Sequence, residues 1–244
     1  MTQPTSREPR GSYGIDAPYA AAFVGILILI VIVLAVLSGH LVTFVPIMFM
    51  LGIVASALHT TLRGKFLVWS ELINKLELRG DERILDLGCG RGAVLLLAAR
   101  HLTTGRAVGV DIWQRADQSG NSVEATRRNA LAEGVGDRVE LHTGDMRALP
   151  FGDDSFDLIV SSLAIHNIRG SAGRQKAIDE AVRVLRPGGL LMIADIRATR
   201  QYEARLIALG MSNVGRRGLG WRFWWGGPWA ATRLVRATKP HRPA

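Results

Sequence analysis

The stretch "DLGCGRGA" (86–93) follows the apolar pair Ile84-Leu85 and precedes "VLLLAA". That order predicts a turn from a strand into a helix, with glycines that let the backbone approach a ligand without Cβ clashes. Nucleotide cofactors bind at such turns, and the spacing fits two kinds. Gly88, Gly90 and Ala93 satisfy the dinucleotide pattern G-x-G-x-x-G/A. Gly88, Gly90 and Gly92 equally satisfy the G-x-G-x-G turn that holds S-adenosylmethionine (SAM). One reading makes a hydride-transfer enzyme, the other a methyltransferase.

Asp86 weighs on the choice. In a dinucleotide site the helix N-terminus receives a doubly negative pyrophosphate, which a neighbouring carboxylate would repel. SAM has no phosphate but carries an α-ammonium and a sulfonium, so Asp86 is easier to explain beside SAM, unless it bonds backbone amides. Asp111, in "VGVDIW", stands 19 residues after Gly92 and can accept both ribose hydroxyls of either cofactor. Ile112 follows it in the same site, and Trp113 either packs on the adenine or fills a surface groove. In "HTGDMRALPF", Asp145 can accept from the adenine amino group and the Met146 amide can meet a ring nitrogen. Taken alone, that Gly-Asp pair reads as a turn. Ser161, near the end of the fourth strand, completes the candidate cofactor residues.

These residues need strand ends to hold them. The pattern predicts strands over 83–87, 107–112, 139–143, 156–161 and 190–195, with helices over 92–101, 122–133 and 173–185. The alternation makes a parallel α/β sheet with crossover helices. Asn121 and Glu124 are spaced to cap the middle helix. The loop before it, with Gln114, Arg115, Asp117 and Gln118, lies beside the ribose as either a lid or inert variation.

The order "ILDLGCGRG", "VGVDI", "TGDMRALPFGDDSFDLIVSSLAIHNI" and "EAVRVLRPGGLLMIAD" is similar to the class I SAM-dependent methyltransferases, nearest their small-molecule and lipid-quinone branch. The resemblance spans 66–239. It implies SAM as cofactor and a Rossmann-like, seven-stranded, mostly parallel sheet with an antiparallel last strand. "LGMSNVGRR" is the expected sixth strand and "ATRLVRATKP" the seventh. His166, in "SSLAIHNI", stands where such enzymes approach their substrates. It is either a general base near neutral pH or an ordinary polar residue at a loop-to-helix junction. No metal-ligand cluster is spaced for catalysis.

Between Asp16 and Arg63 lie 46 residues without one Asp, Glu, Lys or Arg. Residues 17–37 are long enough for about 30 Å of helix, "SGH" (38–40) interrupts, and 41–59 follow. The expectation is a two-helix transmembrane hairpin over 17–62, behind a polar tail (1–16) and ahead of a catalytic domain (63–244). Arg7, Arg10, Arg63 and Lys65 flank it and the turn has no basic residue, which places both termini and the catalytic domain in the cytoplasm of a two-span cell-membrane protein. A hairpin buried in a dimer or capping a substrate tunnel is the other reading.

The net charge of +9 sits in residues 197–244, with 10 Lys and Arg against Glu203 alone. It clusters with four tryptophans rather than along a nucleic-acid motif, so no nucleic-acid partner is expected. The segment 215–230, with Trp221, Phe223, Trp224, Trp225 and Trp229 among Arg216, Arg217 and Arg222, suits a bilayer interface or packs into the domain. The expected partners are the lipid bilayer and an apolar or amphipathic small-molecule acceptor. The other function classes are a catalytically silent SAM-binding module and an NAD-dependent membrane oxidoreductase.

Overall fold

The computed structural model describes residues 9–16, 18–38 and 44–241. Among them seven strands form one sheet: β1 (Arg83–Leu87), β2 (Arg106–Asp111), β3 (Val139–Thr143), β4 (Phe156–Ser162), β5 (Leu185–Asp195), β6 (Ser212–Gly218) and β7 (Arg233–Thr238). Their order is β3-β2-β1-β4-β5-β7-β6. β1 to β5 pair in parallel, and β7 runs antiparallel between β5 and β6. This is the mixed Rossmann-like sheet that the strand–helix alternation and the resemblance imply.

Helices α1 (Pro18–Ser38), α2 (Phe44–His59) and α3 (Lys65–Asn74) precede the sheet; α4 (Ala93–Ala99), α5 (Val123–Ala132), α6 (Ser171–Val184) and α7 (Thr199–Ala208) lie between strands. Buried strands in a parallel sheet need apolar side chains on both faces. Accordingly Ile84, Leu158 and Val160 pack with Phe66 and Trp69 of α3 and Leu95 of α4. Leu85, Leu87 and Ile159 pack on the other face with Ile178 of α6 and Tyr202 and Leu206 of α7. Two details depart from expectation. The cap of α5 is Ser122, whose Oγ accepts the Ala125 amide at 3.1 Å, while Asn121 reaches Asp111 instead. α7 was not expected: its apolar residues Tyr202 and Leu206 make one i, i+4 pair in an arginine-rich stretch.

Before the sheet, α1 and α2 pack together and expose large apolar side chains such as Phe23, Leu29, Leu34, Met48 and Phe49. α2 does not stop before α3. A π-helical turn, Thr60–Gly64, joins them into one helix, Val45–Asn74, which is long and apolar enough to cross a membrane. Ala22–Leu37 is a shorter apolar helix. The expected hairpin is therefore represented by one candidate span rather than two. Its expected turn at 39–43 and Arg7 lie outside the described residues.

The tail is held along part of its length. The backbone amides of Arg10 and Gly11 donate to Glu133, that of Ser12 to Asn129, and the Tyr13 hydroxyl to Glu133 at 2.7 Å. Residues 9–16 thus run as a strap across α5 and the loop 114–121 before entering α1. Lys65, expected as a flanking surface cation, is buried against Asp16 of that strap.

The tryptophan segment lies on the long helix. A Cβ on Gly64 would come 1.8 Å from the Arg222 carbonyl oxygen, so glycine permits the contact. The Trp224 carbonyl accepts from Ser56 and Thr60 at 3.2 and 2.6 Å. Phe223 is fully buried and Trp225 packs on the same core, whereas Trp221 and Trp229 are exposed. Arg216 and Arg222 pair with Glu203 and Glu71, so these two cations are not held out for lipid.

Candidate functional site

The strand order reverses between β1 and β4, and ligands of open α/β sheets bind beyond the strand ends at such a point. A cleft of about 470 Å³ opens there. Its floor is the glycine turn. Gly88 (φ +72°) and Gly90 (φ +50°) adopt left-handed backbone, and a Cβ on Gly88 would lie 2.2 Å from the Ala164 Cβ. Gly92 (φ +88°) opens α4.

Asp86 is buried in the lining, and its Oδ1 has no hydrogen-bond partner. Burial pushes its carboxyl up to about 7; the Asp111 charge adds to the rise and the Leu95 backbone opposes it. An orphaned carboxylate oxygen beside a glycine turn suits a cationic ligand group, which supplies both the missing partner and the missing countercharge. Burial likewise pushes the Cys89 thiol up, so this lone cysteine stays protonated.

Asp111 stands at the end of β2 as expected, with both oxygens engaged. Oδ2 accepts the Gly90 amide at 2.8 Å, and Oδ1 accepts the Trp113 amide at 2.6 Å and Asn121 at 3.4 Å. Of the carboxylate's about four lone-pair sites these donors leave one, on Oδ2. Ile112 is exposed and lines the cleft. Asp145 and Met146 line it beyond β3, where Arg147 grips Asp145 through Nε at 2.9 Å and Nη2 at 2.5 Å. Trp113 turns its indole to Thr143 at 2.7 Å and is not in the lining. Ser161 is not brought to the cleft either. Its hydroxyl donates to the Leu87 carbonyl at 2.9 Å inside the sheet, and Ser162, on the opposite face of the strand, lines the cleft in its place.

His166 sits on a short 3-10 turn, Ile165–Asn167, between β4 and α6. Its Nδ1 lies 2.5 Å from Oδ1 of the fully buried Asp195 at the end of β5. It flanks the lining residues Ala164 and Asn167 without being one itself.

Sequence reasoning missed Asp16, Lys65, Ser162 and Asn167, all in the lining. The loop 114–121 does act on the glycine turn: Gln118 Oε1 accepts the Arg91 amide at 2.8 Å, and Gln118 Nε2 donates to Asp16 Oδ1 at 2.9 Å. Thr61 Oγ1 donates to Asp16 Oδ2 at 2.8 Å. Only the uncharged run that starts after Asp16 marked that residue as a boundary.

Residues 85–193 match a family model described as a methyltransferase domain. The chain is 38% identical over 146 residues to methyltransferase GfsG of Streptomyces halstedii, covering 59% of this chain and 49% of that one. It is 33% identical over 129 residues to the ubiquinone/menaquinone biosynthesis C-methyltransferase UbiE of Roseobacter denitrificans, covering 52% and 48%. The chain thus spans about half the length of these relatives. A SAM-dependent methyltransferase from Aquifex aeolicus superposes with a TM-score of 0.55 at 18% identity, over 70% of this chain and 88% of that one. The geranyl diphosphate C-methyltransferase of Streptomyces coelicolor, solved with S-adenosyl-L-homocysteine, gives 0.57 at 15% identity, over 75% and 82%. At these identities the likeness is one of fold.

Proposed function

From the class I SAM-dependent methyltransferase domain that this chain carries, we propose a membrane-anchored enzyme that methylates an apolar or amphipathic small molecule. The observation that carries the reading is the single helix Val45–Asn74. Its first half is apolar and exposed, and its second half delivers Lys65 to the cleft and Trp69, whose Nε1 donates to Ser162 at 2.9 Å. One rigid element therefore joins a lipid-compatible surface to the cofactor cleft, and an acceptor dissolved in a bilayer meets the cleft without crossing water. UbiE, by its name an enzyme of ubiquinone and menaquinone biosynthesis, is a relative with that substrate class.

Bound SAM supplies an electrophilic methyl on a sulfonium. The chain's own work is to bind, align and exclude water. The Gly88–Gly92 turn cradles the cofactor, Asp86 meets its ammonium, and Asp111 and Ile112 hold the ribose. Asp145 and Met146 take the adenine. Where the acceptor must lose a proton, His166 receives it at Nε2, with Nδ1 beside Asp195.

Labelled SAM incubated with host membranes and the full chain should transfer label into the lipid extract, and alkaline carbonate should leave the protein in the membrane pellet. Label confined to water-soluble products, with release by carbonate, would overturn the reading.

A further inference from the structure

A SAM molecule brings two charges at its amino-acid end. Asp86 and the glycine turn suit the ammonium, and the carboxylate needs a cation. Three cations line the cleft: Lys65, Arg147 and Arg169. Arg147 is bound to Asp145 at the end assigned to adenine, and Arg169 is exposed on the far loop. Lys65 differs from both. Its side chain is 5% exposed, so it can be held as a charge only by an anionic partner. It is also tied to the glycine turn by a short chain of contacts. Lys65 Nζ donates to Asp16 Oδ2 at 2.6 Å, Asp16 Oδ1 accepts from Gln118, and Gln118 accepts the Arg91 amide. A Cβ on Gly90 would lie 2.6 Å from that same Gln118 oxygen.

We propose that Lys65 is the cation for the cofactor's carboxylate, and that Asp16 of the strap competes with that carboxylate for Lys65. The inference rests on SAM being the cofactor. The two carboxylates are chemically alike, and the lysine ammonium has three donors, one of which meets Asp16. As the cofactor's carboxylate reaches Lys65, the two anions repel and Asp16 loses its hold. Asp16 also anchors Thr61 of the long helix and Gln118 of the loop, so the same exchange loosens the strap from the cleft. Cofactor occupancy is thereby communicated to the segment that leads into α1.

Decarboxylated SAM, which lacks only this carboxylate, is the probe. Binding is measured by calorimetry on the full chain in nanodiscs. The wild type should favour SAM over decarboxylated SAM by on the order of tenfold or more, the size of one charge-assisted hydrogen bond. Lys65→Met should weaken SAM binding to about the level of the decarboxylated compound, and Lys65→Arg should restore part of the preference. Asp16→Asn removes the competing charge and keeps one acceptor oxygen, while its Nδ2 can no longer accept from the donors that meet the second oxygen. It should tighten SAM several-fold and leave decarboxylated SAM no tighter, an outcome that stands even if Lys65→Met does not fold. Equal affinities for the two compounds in the wild type, or a preference that survives in Lys65→Met, would overturn the proposal. A wild type that binds SAM with the expected preference yet labels no lipid would instead overturn the acceptor reading.

Discussion

Asp195 meets His166 at two points: Oδ1 lies 2.5 Å from the imidazole Nδ1, and Oδ2 accepts the His166 backbone amide at 3.0 Å. The Tyr202 hydroxyl donates to the same Oδ2 at 3.2 Å, and the Ile196 amide to Oδ1 at 2.8 Å. A carboxylate so surrounded fixes the turn that carries His166 and lies beside its ring, although Nδ1 makes no hydrogen bond to it. Asp117 of the loop 114–121 has its carboxyl raised by burial and by Asp111, with His166 opposing the rise.

His166→Ala should lower kcat by at least tenfold, the low end of general-base effects, and change SAM affinity by less than twofold. Asp195→Asn should lower kcat as well. The double variant should be no slower than His166→Ala, because one residue acts through the other. Additive losses would give Asp195 a role of its own, and unchanged turnover in His166→Ala would remove the imidazole from the reaction.

The pH behaviour should trace Asp86. Its folded-state pKa is raised to about 7, so the folded protein holds this proton at a pH where the unfolded chain has released it. Stability without ligand should then fall as pH rises from about 4 to about 7, and the cost is complete above that window. The cofactor's ammonium favours the charged carboxylate, so SAM should bind more tightly as pH rises from about 6 to 8. Melting curves and calorimetry across that range test both slopes, which Asp86→Asn should flatten. A variant with the wild-type slopes would assign them to another group.

Asp111→Ala should weaken SAM binding by about tenfold to a hundredfold, because the ribose loses a charged acceptor. The same carboxylate holds the Gly90 and Trp113 amides, so some stability is lost with it. Thermal melts separate the two effects. Weak binding by a variant that melts like the wild type supports direct contact, and wild-type affinity contradicts it.

The legible part of the site is the part whose backbone has a fixed chemistry. A glycine turn after a short apolar strand can be recognised because left-handed φ and close approach exclude other residues, as Gly88 shows against Ala164. Asp86, Asp111 and Asp145 line the cleft because each lies at or just beyond the carboxyl end of β1, β2 or β3. Ser161 illustrates the limit: one residue of offset in a strand turns a side chain from the cleft into the sheet, and Ser161-Ser162 carries no signal for which one points where. Asp16 and Lys65 lie 49 positions apart and meet because α1 and α2 pack together and bring the chain back to the strap. No local pattern encodes that. The continuity of α2 and α3 was hidden in the same way, since a basic, glycine-containing stretch such as "LRGK" reads as a helix boundary and the π-helical turn carries no signature.

The last prediction separates the tryptophans of the 215–230 segment. Phe223 and Trp225 belong to the core, so replacing them tests folding rather than lipid contact. Trp221 and Trp229 are 63% and 66% exposed. Trp221 stacks on His59 with centroids 5.1 Å apart, and Trp229 tilts against Phe49 at 5.9 Å. Both rings therefore extend the apolar surface of α2, and tryptophan favours the headgroup level of a bilayer. In vesicles containing brominated lipid, the full chain should show quenched tryptophan fluorescence. Trp221→Ser combined with Trp229→Ser should remove most of that quenching, because Trp69 is fully buried and Trp113, Trp224 and Trp225 are partly buried. SAM affinity should not change, since neither ring lines the cleft. Quenching of wild-type size in the double variant would mean that these two rings stand clear of the lipid and that another tryptophan of the chain reports the contact.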